Sequence, residues 1–524
     1  MKLNTIILLM ALAACTHPPA PVSPGNQTTD QEAANSQALK YFMDGQLMMN
    51  QGNYAMAILE FQDAIAHDPN VATIYVSMAE CYWNLGKYRH ALNNLQKAIS
   101  LDSTDIEARE RLAHFFLLQK EIEKAEEQYR ILSHLDPKNT DYIYGLADLA
   151  KVQEKYDEAL ELYEKVYAMD PSAVYALESA AKLALSWMNF DKANELYREL
   201  VSVEPDNKNY WQIYSNLTIS KENYQEGLHA LKELNRLQPD EVDILGRIGT
   251  IFYELKELDS ALVYFEKIMS LDSANALTYH YISTIQRELG QKKQAEITAR
   301  LMTEHFPTNP QGYINLALVY LEEERYQEII TVLGDAAEQF ADEFGIQYIL
   351  GSAYYQVKDY VNAEIFFKRA VTISPDEPTA LHSLAIIYDN LKEFEESDKI
   401  YEDLIARDST DAQAFNNYAY SLAERSERLD YALSLSQKAN KLSPDNAAYL
   451  DTMGWIYYML GNYTLAYDYI KQSVDLDPTN AVILEHLGDV YLKKNEPDKA
   501  LETYQRALEL DQDNQDILAK INAI

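Results

Sequence analysis

Small apolar residues recur along this chain with a period of 34 residues, and polar positions alternate with them at helical spacing. Seven alanines each lie twelve residues before a proline, and a helix-length apolar pattern precedes every such pair. Counted from Ala38, the period predicts thirteen units of 34 residues and one of 35, which together span residues 38–514. The alanine–proline pairs are Ala57 and Pro69, Ala125 and Pro137, Ala159 and Pro171, Ala193 and Pro205, Ala295 and Pro307, Ala363 and Pro375, and Ala466 and Pro478.

Within each unit the small and large residues keep fixed positions, numbered here from the first residue of the unit. Position 8 is Gly, Ala or Ser in all fourteen units, as at Ala79 and Gly454, and position 20 is usually Ala. Positions 11 and 24 are mostly aromatic or large and apolar, as at Tyr82 and Phe367. Small residues let two antiparallel helices approach closely, large ones fill the adjoining space, and proline ends the second helix.

This pattern resembles the tetratricopeptide repeat (TPR) and covers nearly all of residues 38–514. The resemblance implies an all-α fold, an α-solenoid with a right-handed superhelix of about fourteen helix-turn-helix repeats and a concave groove. Residues 515–524 are predicted to form a capping helix at the carboxyl end. Such arrays bind other proteins or extended peptides, so the resemblance predicts a binding protein and not an enzyme.

Repeats six to nine depart most from the pattern. Position 20 becomes Gly227 in the sixth repeat and Ile329 in the ninth, and position 24 is Ala299 in the eighth. These changes are explained by a hinge between two better-packed halves or, at least as well, by tolerated sequence drift.

The amino terminus has the features of an export and anchoring signal. A short charged start precedes an apolar run from Ile6 to Ala14, too short to span a bilayer as a helix. Leu12-Ala13-Ala14-Cys15 resembles the lipobox of bacterial lipoproteins, which implies cleavage before Cys15 and its acylation. By the same analogy Thr16, which is not Asp, implies an outer-membrane anchor facing the periplasm. We therefore expect a signal peptide over residues 1–14 and a lipidated cysteine with a flexible tether over 15–37.

Composition and the catalytic motifs that the sequence lacks argue against two further classes of function, nucleic-acid binding and catalysis. The formal net charge of −37 argues against nucleic acid as a partner. The second cysteine, Cys81, lies within a helical pattern and is expected to be a small buried residue. No Walker A, GxSxG, HExxH or CxxC motif is present in the sequence. We therefore expect no catalytic residues, no metal, no cofactor and no small-molecule substrate.

The groove of TPR proteins is lined by positions 2, 5, 6, 9, 12 and 13 of the first helix. At these positions the chain has amide side chains, which can both donate hydrogen bonds to a peptide backbone and accept them from it. It also has aromatic side chains, which offer rigid contact area. The alternative is that some of them are solvated or pack against the neighbouring repeat. The candidate binding residues are Asn416, Asn417, Tyr420, Asp451, Trp455, Tyr458, Asn315 and Asn216.

The segment from Phe415 to Glu424, with Tyr449–Trp455, resembles a stretch found in envelope TPR lipoproteins, a group that includes LbcA and NlpI and tethers processing proteases. The resemblance implies a scaffold or adaptor that recruits periplasmic partner proteins, such as a processing protease or a cell-wall enzyme. One alternative is an assembly factor for a pilus, secretion or outer-membrane machine. A remote one is the accessory region of a glycosyltransferase-type enzyme.

Overall fold

A computed structural model describes residues 29–524, and over this range the chain forms twenty-nine α-helices and no strand. Cys15 and the predicted signal peptide lie outside the described residues. The first helix, α1, begins at Thr29, so the interpretation of residues 15–37 as a flexible tether is wrong for residues 29–37. The physical reason is that no Pro or Gly occurs between Gly25 and Gly45, and the chain can therefore extend the first helix backwards.

The chain divides into two compact units between Leu237 and Gln238. This boundary falls within repeats six to nine, the stretch with the weakest repeat pattern. The helices of the first unit are α1 (Thr29–Asn50), α2 (Tyr54–His67), α3 (Ala72–Asn84), α4 (Tyr88–Leu101), α5 (Ile106–Gln119), α6 (Ile122–Leu135), α7 (Thr140–Val152), α8 (Tyr156–Met169), α9 (Val174–Ser186), α10 (Phe190–Val203), α11 (Lys208–Ser220) and α12 (Tyr224–Leu237).

The second unit contains the remaining eight hairpins and a short terminal helix. Its helices are α13 (Val242–Glu254), α14 (Leu258–Leu271), α15 (Ala276–Glu288), α16 (Lys292–His305), α17 (Pro310–Glu322), α18 (Tyr326–Ala336), α19 (Phe344–Gln356), α20 (Tyr360–Ile373), α21 (Pro378–Leu391), α22 (Phe394–Arg407), α23 (Ala412–Glu424), α24 (Leu429–Leu442), α25 (Ala447–Met459), α26 (Tyr463–Leu476), α27 (Ala481–Lys493), α28 (Pro497–Leu510) and α29 (Gln515–Asn522).

Each repeat is a hairpin of two helices, and the hairpins of each unit stack on their sequence neighbours. The small residue at position 8 makes room for the large residue at position 24 of the same repeat. A methyl group added at Gly45 would lie 2.6 Å from the ring of Phe61, and one added at Gly351 would lie 3.0 Å from Phe367. The prediction of an all-α stack of about fourteen helical hairpins with a terminal helix is confirmed over the described residues.

The turn inside every hairpin places its position-15 residue in the left-handed backbone region. Gly occupies this position in only four repeats, and charged residues such as Lys120 (φ 60°) and Glu154 (φ 60°) are typical of the others. Asn or Asp side chains cap many of the first helices; the side chain of Asp105, for example, accepts a hydrogen bond from the amide of Ala108 at 2.9 Å. In the twelfth repeat the extra turn residue is accommodated by Arg428, which has a φ of 46°.

Cys81 lies in the core of the first unit, in one cluster of buried residues with Phe61 and Met78. Burial raises the pKa of its thiol to about 12, with a further contribution from the charge of Glu80. The sequence-based expectation that Cys81 is a small buried residue agrees with this position. No helix within residues 29–524 is long and apolar enough to cross a bilayer.

Candidate protein-binding surface

Six of the eight candidate binding residues lie on two adjacent helices of the second unit. Helices α23 and α25 are the first helices of repeats twelve and thirteen, and they contact each other directly. The structure therefore brings these six side chains to one surface. They are Asn416, Asn417, Tyr420, Asp451, Trp455 and Tyr458.

The other two candidates lie elsewhere. Asn315 is on α17, only 4% exposed, and its side-chain oxygen accepts a hydrogen bond from Gln311 at 2.9 Å and lies 3.1 Å from the ring Nδ1 of His280. Asn216 is exposed on α11 of the first unit, where it lines an open cleft of about 790 Å³ with Met188 and Phe190. Neither residue joins the surface formed by α23 and α25.

Trp455 is the centre of the aromatic part of this surface. Its indole stacks on the ring of Tyr458 (centroids 4.7 Å apart) and on the imidazole of His486 (4.1 Å). Its Nε1–H donates a hydrogen bond of 2.7 Å to the carboxylate of Glu424 on the preceding first helix. Trp455 is therefore held by repeats twelve, thirteen and fourteen together, and it is half-buried.

Asp451 and Asn416 form the deeper, polar part. One carboxylate oxygen of Asp451 lies 2.8 Å from Nδ1 of His486, and its other oxygen, Oδ1, has no hydrogen-bond donor within the described structure. The side chain of Asn416 donates weakly to Asn417 at 3.4 Å, and its own oxygen is likewise without a donor. Buried acceptors normally have partners, so these two oxygens are unusual.

Side-chain contacts between the first helices of neighbouring repeats follow one spacing, called here the register rule. The side chain at position 5 of one repeat meets the side chain at position 6 of the next, 35 residues further on. The same spacing links position 12 to position 13 of the next repeat, as in the hydrogen bond from Tyr253 to Glu288. The position 5 to position 6 pairs are Tyr144 with Ser179, His280 with Asn315, Tyr348 with Ser383, Asp451 with His486, and Glu485 with Lys520.

The surface formed by these helices is strongly acidic. Burial and the charges of Glu424, Asp451 and Glu485 together raise the pKa of the Tyr420 hydroxyl, which is consistent with carboxylates of three repeats converging near it. Burial lowers the pKa of His486, but the charge and hydrogen bond of Asp451, together with the charges of Asp489 and Glu424, outweigh it, and the net pKa is raised.

One lysine from the terminal helix partly balances these carboxylates. The ammonium of Lys520 on α29 donates to Glu485 at 2.6 Å and to Asp489 at 2.7 Å. Within residues 29–524, no group of three or more His, Cys, Asp or Glu side chains is arranged to hold a metal ion.

Several residues of this surface were not among the predicted binding residues, notably Glu424, Glu485, His486 and Lys520. The signal that could have found them is the 35-residue spacing, which joins each of the last two to a position-5 side chain of the preceding repeat. Glu424, Glu485 and His486 stand at groove positions 13, 5 and 6 of their repeats, but the positions alone do not show which side chains pair across repeats.

Comparison with family models decides the classification. Models described as tetratricopeptide repeat match residues 83–149, 153–217, 242–275, 307–378, 380–413 and 457–524, which together make up more than half of the chain. The chain is a tetratricopeptide-repeat protein. All of these family matches are to repeats, and none is to a catalytic domain.

Curated relatives of this tetratricopeptide-repeat protein match it over short stretches. A TPR repeat-containing protein of Pseudomonas aeruginosa is 34% identical over 100 residues, which is 19% of this chain and 17% of that protein. An Hsp70-Hsp90 organizing protein of Triticum aestivum is 34% identical over 101 residues, with the same coverage of 19% and 17%. The chain thus matches less than a fifth of the length of either relative.

Solved structures align with this chain at low sequence identity. The APC/C hetero-tetramer Cut9-Hcn1 aligns with 94% of this chain and 97% of that chain, at 15% identity and a TM-score of 0.39. A tetratricopeptide repeat protein from Parabacteroides merdae aligns with 48% of this chain and 98% of its own, at 15% identity and a TM-score of 0.44.

Proposed function

We propose that this tetratricopeptide-repeat protein is a lipid-anchored adaptor of the bacterial cell envelope. It binds partner proteins non-covalently through the surface formed by α23, α25 and α27, and a processing protease or a cell-wall enzyme is the kind of partner we expect. The observation that carries the proposal is the convergence of half-buried aromatic and polar side chains from three consecutive repeats on one surface.

The chemistry of that surface suits recognition and not catalysis. Tyr420, Trp455 and Tyr458 are half-buried, and aromatic side chains of this kind contribute most of the binding energy in many interfaces. Asn417, also half-buried, offers both a donor and an acceptor to a peptide backbone. A small-molecule substrate and a cofactor are not part of the proposal.

The anchoring part of the proposal rests on the sequence around Cys15. Leu12-Ala13-Ala14-Cys15 supports acylation of the cysteine after cleavage, and Thr16 supports sorting to the outer membrane, with the array on the periplasmic side. Several acyl chains on one residue would hold the protein firmly at a bilayer.

Fractionation of cells that express single-cysteine variants tests the anchor. We expect Cys15→Ser to move the protein from the membrane pellet to the soluble fraction, because the variant has no sulfur to acylate. Cys81→Ser is the matched control and should stay in the pellet, since Cys81 is buried in the first unit. A Cys15→Ser protein that remains in the pellet would refute lipid anchoring at this residue.

In-cell crosslinking of the tagged full-length protein, followed by mass spectrometry, tests the adaptor function. We expect a protease or a cell-wall enzyme to be recovered, and recovery to fall about tenfold in the double variant Asn417→Ala with Tyr420→Ala, since loss of one or two central contacts costs that much. Arg111→Ala with His114→Ala changes the same repeat positions, 6 and 9, in the third repeat and should leave recovery unchanged.

Other outcomes of the same experiment separate the alternatives. Recovery of pilus, secretion or outer-membrane assembly components would assign the protein to machine assembly. Recovery of no protein above the untagged background would contradict an adaptor of either kind.

A further inference from the structure

We propose that the surface of repeats twelve to fourteen binds an arginine side chain, presented by an extended segment of a partner protein. This inference rests on the adaptor function and specifies what the adaptor recognises. The site, called here the acidic cleft, is defined by four carboxylates and two aromatic side chains: Glu424, Asp451, Glu485, Asp489, Tyr420 and Trp455.

Carboxylates from three successive first helices supply the charge. Glu424 is on α23, Asp451 on α25, and Glu485 and Asp489 are on α27. Three of them, Glu424, Asp451 and Glu485, lie close enough to the hydroxyl of Tyr420 for their charges to act on it. The first helices of these repeats pack directly on one another, so the four carboxylates lie on adjacent helices.

Two buried side-chain oxygens in this region accept no hydrogen bond. This observation is separate from the excess of negative charge. The side chain of Asp451 is 8% exposed and accepts only from His486, through one of its two oxygens. Asn416 is 7% exposed, and its oxygen has no donor at all. Both residues occupy position 5 of their repeat, which by the register rule faces the next first helix. Asn416 thus faces α25 and Asp451 faces α27, and a ligand whose N–H groups reach both places would satisfy both oxygens.

The terminal helix already places a cation in one half of the cleft. Lys520 of α29 bonds both Glu485 and Asp489, so an ammonium group fits between these carboxylates. The other half, formed by Glu424 and Asp451, receives the indole N–H of Trp455, the hydroxyl of Tyr420 and the imidazole of His486. The acidic cleft is therefore left with more carboxylates than cations, and a partner's side chain would complete the arrangement.

The geometry favours arginine over other cations. Within the described residues no set of side chains is arranged for a metal ion. The unpartnered oxygens belong to two different helices, and a planar guanidinium with five N–H donors can reach separated acceptors where a single ammonium cannot. Guanidinium groups also stack on aromatic rings such as that of Tyr420.

A peptide-binding experiment on the full-length protein in detergent tests the proposal. The probes are fluorescein-labelled peptides of Gly, Ala and Ser with one central arginine, and twins in which citrulline or lysine replaces it. At low ionic strength we expect the arginine peptide to bind at least about tenfold tighter than the citrulline peptide, because citrulline keeps the shape and loses the charge. It should also bind more tightly than the lysine peptide.

Two variants locate the binding at the acidic cleft. Asp451→Asn and Glu424→Gln should each weaken the arginine peptide by about tenfold. Glu424 is exposed at the rim, so its variant keeps the test valid if the change at the buried Asp451 impairs folding, which circular dichroism would reveal. Glu178→Gln is the matched control, a change at position 5 of the fifth repeat, and should bind like the unchanged protein.

The outcomes separate this inference from the adaptor function. Equal binding of the arginine and citrulline peptides would overturn the arginine site even if crosslinking recovers a partner. Equal binding of the lysine peptide would overturn the preference for a guanidinium. Failure of the unchanged protein to capture any partner would overturn the adaptor function itself, whatever the peptides do.

Discussion

Single glycines at position 8 decide how closely two helices of a repeat can pack. At Gly454 an added methyl group would lie 3.0 Å from the backbone nitrogen of Ile470 and 3.1 Å from the carbonyl oxygen of Ala466, and backbone atoms cannot move aside easily. We expect Gly454→Ala to destabilise repeat thirteen by about 1–3 kcal/mol, as overpacking does. Urea unfolding followed by circular dichroism measures the effect.

Gly334 provides the control for this change. It lies within α18, is exposed, and an added methyl group would meet nothing within 4 Å. Gly334→Ala should therefore stabilise the helix by about 0.5–1 kcal/mol, the usual gain when Ala replaces Gly in a helix. Equal effects of the two variants would mean that close packing at position 8 has no special importance.

The buried pair of His486 and Asp451 makes the stability of the last repeats depend on pH. Burial lowers the pKa of His486 in the folded protein, but the charge and hydrogen bond of Asp451 and the charges of Asp489 and Glu424 together raise it above 6.5. Protonation of His486 therefore favours the folded state. Its contribution to the free energy of unfolding is complete below pH 6.5 and is lost as the pH rises through the pKa of the folded state.

Urea unfolding at several pH values checks this expectation. The unfolding midpoint of repeats thirteen and fourteen should fall more between pH 6 and pH 9 in the unchanged protein than in His486→Gln, which cannot be protonated. Identical pH profiles for the two proteins would show that the imidazole does not gain a proton-dependent stabilisation from Asp451.

At the scale of an element, α29 covers the last hairpin. Ile517 is fully buried and packs in one core with Leu484, Leu487 and Tyr504. We expect Ile517→Ala to cost about 2–5 kcal/mol, because it leaves a cavity against these residues. Ile524→Ala, at the exposed end of the chain, should change stability by less than about 0.5 kcal/mol. Hydrogen exchange of α27 and α28 would report the difference.

The elements themselves could be predicted from the sequence, because a 34-residue period with small residues at positions 8 and 20 resembles the tetratricopeptide repeat, which implies this packing. The left-handed conformation of the turn residue could not be predicted, since Lys and Glu together occupy this position more often than Gly. Lys120 and Met188, for example, carry no signal of a positive φ.

The candidate surface was predictable only in part. The groove positions on α23 and α25 followed from the repeat, but the use of each side chain depends on its neighbour 35 residues away. Trp455 was expected either to offer contact area to a partner or to pack on the neighbouring repeat, and the structure stacks it on Tyr458 and His486. Contacts between repeats depend on side-chain conformations that a periodic pattern does not specify.

For the whole molecule, stability is expected to be local. Helices pack on their sequence neighbours within each of the two units, so a defect should spread only to adjacent hairpins. We expect Leu177→Ala, at a fully buried site in α9, to reduce hydrogen-exchange protection in repeats four to six and to leave repeats ten to fourteen unchanged. Loss of protection throughout residues 29–524 would indicate a single cooperative unit instead.

The register rule restricts how such an array can lengthen by gene duplication. An extra copy of the thirteenth repeat would set one Asp451 against Thr452 of the copy, and that carboxylate would lose its imidazole. An extra copy of the fourteenth would set Glu485 against the His486 of its own duplicate and preserve Lys520 at the end. Insertion after repeat fourteen is therefore the more permissive of these two duplication sites, although all repeats share one fold.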